Sequence, residues 1–154
     1  MIDYVALAGV KSLGDEGIAH VLAQVRQDGG TIDDLFSATT KRLRDHYGLR
    51  TAAAQIMHDR SEQLRELASQ LIERADALGV VVLGPADAGY PARLDEFYEG
   101  EPPVLYARGN LALLDAPGVA VMNSAKPPAE SLEYTLALAS RLAEAAQTLV
   151  VGAE

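Results

Sequence analysis

Between Gly118 and Gly152 the chain reads as an apolar run, a helix and a second apolar run. "GVAVMN" and "QTLVVGA" are short and continuously apolar, as strands covered on both faces are. "PAESLEYTLALASRLAEAA" between them has the period of an amphipathic helix. Two strands joined through a helix cannot pair as a hairpin, so this order implies a βαβ unit in a parallel sheet. Val119–Met122 and Leu149–Gly152 are expected to be adjacent parallel strands, with Val119, Val121, Leu149 and Val151 buried. Pro128–Ala146 is the expected crossover helix, right-handed as such connections almost always are.

The texture upstream is different. "SLGDEGIAHVLAQVRQDGG" is a helix with Ser12 or Asp15 as its expected cap. Its face is Ile18, Val21, Leu22 and Val25, and Gly29-Gly30 ends it. "TIDDLFSATTKRLRDHYGL" gives a short helix capped by Thr31, with acids in its first turn. "LRTAAAQIMHDR" gives another. In "SEQLRELASQLIERADALG", Ser61 is the expected cap and Gly79 the stop, and Leu64, Leu67, Leu71, Ala75 and Leu78 form the expected apolar stripe. Past Gly79 come the strand-type runs "VVVLG" and "PPVLYARG". The expected architecture is therefore α/β: a small helical domain, 1–75, followed by an incomplete Rossmann-like parallel sheet, 76–154.

The formal charge is −9 over 154 residues, split as −2 in residues 1–75 and −7 in 76–154. An acidic second half argues against a broad nucleic-acid face there, since such faces are basic. It leaves room for a small local pocket. The absence of cysteine excludes disulfides and thiolate metal sites and suits a reducing cytoplasm. "MIDYVALAGVK" does not read as a signal peptide, and no apolar run is long enough for a bilayer. His20, His46 and His58 lack metal-ligand spacing. No nucleophile–base pair or catalytic carboxylate pair is visible, so neither an enzyme nor a cofactor site is expected.

Three segments in order carry a resemblance: "GYPARL" (89–94), "PPVLYARGNLALL" (102–114) and the βαβ unit. Together they resemble the DNA-processing protein A (Smf) family, whose α/β domain belongs to the Rossmann-like group that includes the LOG proteins. The helical segment in front resembles that family's SAM-like or helix-hairpin-helix-like module. The resemblance implies a non-enzymatic recombination mediator that binds single-stranded DNA and helps to load the RecA recombinase, notably in natural transformation.

In that family the turn after the third strand usually reads glycine-serine-arginine. Here Asn123 falls on the glycine, Ser124 on the serine and Ala125 on the arginine, with Lys126 one residue further on. Asn tolerates left-handed backbone, but Lys is a flexible point charge where Arg is a planar fork. Pro127 and Pro128 remove two N–H donors from the turn. The family's arginine-glycine-isoleucine-aspartate segment after the last strand has no counterpart in "LVVGAE". This matches a fragment of a longer protein or a reduced relative.

The expected nucleic-acid contacts are Asn123, Ser124 and Lys126, together with Lys11 and Gly14 in a hairpin-like turn whose backbone N–H groups suit a phosphate. The simpler reading of each is an ordinary turn. Lys41, Arg42 and Arg44, near His46 and Arg50, form a solvated basic face or a contact. Tyr90-Pro91 and Arg108-Gly109-Asn110 mark structural turns. A parallel sheet left incomplete exposes a strand edge. A second copy or a partner chain is therefore expected on that open side. The alternative function is a non-catalytic protein-interaction or nucleotide-sensing module that keeps the scaffold without DNA binding.

Overall fold

The computed structural model describes residues 1–94, 104–122 and 126–152. It divides into two compact units, Met1–Leu111 and Ala112–Glu154.

In the first unit six helices precede the first strand: α1 (Ile2–Ala8), α2 (Gly14–Gln27), α3 (Ile32–Phe36), α4 (Thr40–Asp45), α5 (Thr51–Asp59) and α6 (Ser61–Ala77). The face read from the sequence of α2 is the core face: Ile18, Val21, Leu22 and Val25 are all buried. They meet Val5 and Leu7 of α1, Leu35 and Phe36 of α3, Leu43 of α4, and Ala53, Ala54 and Met57 of α5 in one cluster. Thr31 caps α3 as expected, through a reciprocal box with Asp34: the Thr31 N–H and hydroxyl both donate to the Asp34 carboxylate, at 2.6 and 3.0 Å. The start of α2 differs from expectation. The helix begins at Gly14, two residues after Ser12, so Leu13 holds the cap position, and its apolar side chain makes no cap bond.

The largest correction concerns α6. Leu67, Leu71 and Leu78 are exposed, at 54%, 42% and 63%. The buried residues are Ala68 and Ala75, with Leu64 and Ile72 packed partly against the core. At 100° per residue the three exposed leucines lie about 50–90° around the helix from the Ala68–Ala75 line. The apolar arc is broader than the surface that α1 covers, and the alanines let α1 come close. Gly79, at φ +68, ends the helix as read from the sequence.

The chain leaves α6 directly into β1 (Val80–Leu83), which pairs antiparallel with β2 (Leu105–Arg108) in the register Val80–Arg108 to Leu83–Leu105. These are the first two strand-type runs. They form a two-stranded ribbon of their own, separate from the parallel pair. Val82 and Val104 pack partly against the helical core, and Leu83 is buried. This packing is why the first compact unit runs on to Leu111. Arg65 ties α6 to α1 and α3: its Nε donates to Asp3 at 2.7 Å, its terminal nitrogen to Asp33, and its guanidinium lies 4.9 Å from the Phe36 ring centre.

The second unit contains the βαβ order read from the sequence. β3 (Gly118–Ala120) and β4 (Thr148–Val150) are parallel neighbours in the register Gly118–Thr148, Val119–Leu149, Ala120–Val150, with α7 (Ala129–Glu144) between them in the chain. The fold is therefore α/β. The expected burial of this unit is not found. Val119 is 37% and Val151 67% exposed, while Val121 and Leu149 are half-buried. One helix can cover only one face of a two-stranded ribbon, and α7 is itself covered only along Thr135, Ala139 and Leu142.

Candidate nucleic-acid interface

The turn after β3 is the first expected site. Asn123, Ser124 and Ala125 lie outside the described residues. Lys126 is exposed, and Pro128 holds the cap position of α7 without a side-chain cap bond. Glu130 stands in the first turn of α7. A carboxylate there already complements the positive end of the helix and repels a second anion, so Lys126 faces a competing charge. The strand and the helix on either side are present, and Glu130 suits a phosphate poorly.

The other two expected residues, Lys11 and Gly14, sit in the turn between α1 and α2. The turn closes through Val10 N–H to Leu7 and Leu13 N–H to Val10, at 3.1 and 2.9 Å. Gly14 adopts φ +67, and an added Cβ there would meet no atom within 4 Å, so its backbone stands open. The structure brings a second turn to the same place. The chain leaves α4 through Gly48, at φ +68, and Arg50 caps α5 with no side-chain cap bond. Leu49 N–H donates back to Leu43 at 3.0 Å and fixes this second turn. Both turns, with His20 of α2 beside them, line one open cleft of about 640 Å³. His20 Nε2 lies 3.3 Å from where a Cβ on Gly48 would sit.

Gly48 was not singled out by sequence reasoning, His20 only as a histidine without metal-ligand spacing, and Arg50 only as a neighbour of the basic cluster. The signal was present: a glycine two residues before a cation that opens a helix. The basic cluster itself disperses. Arg42 lies over the Tyr47 ring at 5.8 Å, and His46 Nε2 meets Asp28 at 2.6 Å, which ties the ends of α4 and α2 together. The His46 hydrogen bond holds the Asp28 carboxyl below its ordinary value. Lys41 and Arg44 are exposed. Among the described residues no group of three or more His, Asp or Glu could hold a metal ion, and no helix is long and apolar enough to cross a membrane.

Residues 81–153 match the family model of DNA recombination-mediator protein A. The α/β part of this chain is similar to that family. The match begins within β1 and takes in β2, β3, α7 and β4, the segments that carry the resemblance in the sequence. That likeness supports a general role in DNA processing. No curated protein and no solved structure matches the chain.

Proposed function

We propose that the chain is a single-stranded-DNA-binding recombination mediator that assists a RecA-type recombinase in transformation, acts in the cytoplasm and catalyses no reaction. In this reading residues 1–75 form a SAM-like module and 76–154 the first part of a Rossmann-like domain. The observation that carries it is the family match over residues 81–153, which falls on a parallel βαβ unit. The contacts assigned are Asn123, Ser124 and Lys126 after β3, and Lys11 and Gly14 before α2. Binding at the β3 turn is weak, because alanine stands where the family carries arginine and Glu130 opposes an anion.

Fluorescence anisotropy with an unstructured oligonucleotide at low salt tests this. Weak, salt-sensitive binding is expected, and Ala125→Arg is expected to tighten it. Tight binding by the unaltered chain that ignores both Ala125→Arg and Lys126→Ala would remove the β3 turn from the site.

A second reading is a non-catalytic protein-interaction module, favoured by the exposure of Leu132 and Leu136, one turn apart on the same face of α7, at 46% and 60%. Exposed apolar area of this kind suits a protein contact. In either reading a second copy or a partner joins at the β3–β4 sheet, where each strand has one neighbour among the described residues. Light scattering at micromolar concentration checks for association; a strict monomer without partners counts against it.

A further inference from the structure

We infer that the cleft between the Lys11–Gly14 and Tyr47–Arg50 turns is a second DNA contact, one that grips the phosphodiester backbone without reading bases. The inference rests on the DNA-binding reading above and places a contact outside the family-matched residues. Two segments more than thirty residues apart converge on one open cleft of about 640 Å³, and each brings a cation to it, Lys11 from one turn and Arg50 from the other. Both side chains are exposed, and neither makes an ion pair among the described residues. Glu16 is the one carboxylate among the described side chains in the lining, and His20 adds a ring nitrogen.

The two glycines supply the rest. Gly14 and Gly48 both hold positive φ, and around Gly14 the space is open, so a phosphate oxygen can approach main-chain N–H groups there. The only tyrosine of the lining, Tyr47, is 1% exposed and committed to the core, so it offers no platform for stacked bases. A site of cations and main-chain donors fixes position on a backbone and carries no sequence information. The expected ligand is therefore DNA of any sequence, duplex or single-stranded.

The test uses the full chain, a short mixed-sequence duplex, the single strand of the same sequence, and anisotropy over a range of salt. Each phosphate contact contributes about 0.9 to the log–log salt slope on duplex DNA. Lys11→Ala/Arg50→Ala is expected to lower that slope by about 1.8 and weaken all sequences alike, while Lys11→Arg/Arg50→Lys keeps it. Amide shifts on adding the duplex are expected at Gly14 and Gly48 in ¹H–¹⁵N spectra. If the chain binds DNA and the double alanine variant keeps both slope and affinity, the cleft is no contact, Lys11 and Gly14 leave the site, and the mediator reading stands on the turn after β3 alone. If the unaltered chain binds no DNA at low salt and no amide shifts appear, both fail. If the cleft variant abolishes binding but the chain leaves RecA loading unchanged, the cleft stands and the loading role fails.

Discussion

Replacing Gly48 by alanine perturbs the second turn of the cleft in two separable ways. Gly48 holds φ +68, and a non-glycine residue in that region costs about 1–2 kcal/mol. The new Cβ also lands 3.3 Å from His20 Nε2, closer than most such contacts, so the imidazole must move by a few tenths of an ångström. His20 is exposed and its ring can give way, so the contact adds only a fraction of the backbone term. The sum is about 1–2 kcal/mol, or roughly 0.5–1 M in a urea midpoint for a typical small domain. Gly79 is the control: its φ is also +68, but no atom lies within 4 Å of its would-be Cβ, so Gly79→Ala reports the backbone term alone. The assay is urea unfolding followed by far-UV circular dichroism for both single variants and for Gly48→Ala/His20→Ala. The double variant is expected to recover the excess of Gly48→Ala over Gly79→Ala, as a coupled pair should. If Gly48→Ala is no worse than Gly79→Ala, or if removing His20 brings no relief, the contact between the turn and α2 is not as described.

Ala146 follows α7 at φ +54, the one non-glycine residue with positive φ among those described, so Ala146→Gly is expected to stabilise by about 0.5–1 kcal/mol; a loss on thermal or urea unfolding refutes the strain argument. Asp28 and Asp34 both titrate below their ordinary value of 3.8, Asp28 through the His46 hydrogen bond and Asp34 through the Thr31 backbone and hydroxyl. Folded values below unfolded ones mean that this stabilisation is complete above about pH 4 and is lost as pH falls through the folded values, so Asp28→Asn and Asp34→Asn are each expected to flatten the acid limb of a stability–pH curve. Arg65→Met keeps much of the side-chain stem over Phe36 but removes the bonds to Asp3 and Asp33; with the groups partly exposed, the expected loss is about 0.5–1.5 kcal/mol in urea unfolding, and no loss would make the clip decorative.

The sequence was most legible where a local rule and a long-range contact agreed. The α2 face, the Thr31 cap, the Gly79 stop and the β3–β4 pairing each follow from period or turn chemistry, and each is found. Legibility failed where the outcome depends on what lies opposite. Strand-type runs do not say whether their partner runs parallel or antiparallel, and β1 pairs with β2 as a ribbon that packs on helices. Val119 and Val151 read as core because parallel strands usually have helices on both sides, a condition the two-stranded sheet of this unit does not meet. The cleft was half legible: Lys11 and Gly14 were visible as a turn, but nothing local says that residues 47–50 return to meet them.

The helix α6 makes the same point quantitatively. Its apolar arc holds two lines, one of small residues and one of leucines, and periodicity alone favours the leucines because they are larger. The structure chooses the alanines: Ala68 is 3% and Ala75 8% exposed, whereas Leu71 is 42% exposed. A helix that must lie close to α1 uses small residues at the contact, and burial then comes from the partner's side chains. The expectation that follows separates the two readings of this helix. Leu71→Ala removes a side chain already in water over much of its surface, so it is expected to cost less than about 1 kcal/mol. Leu43→Ala, at 0% exposure in the core cluster, is expected to cost about 2–5 kcal/mol. Ala68→Leu should be the more damaging change on α6, at about 1–3 kcal/mol, since it drives a larger side chain into a filled contact. Urea midpoints for the three variants rank them. A Leu71→Ala loss equal to that of Leu43→Ala would show that the leucine line is covered in solution and that the alanine line is not the packed one.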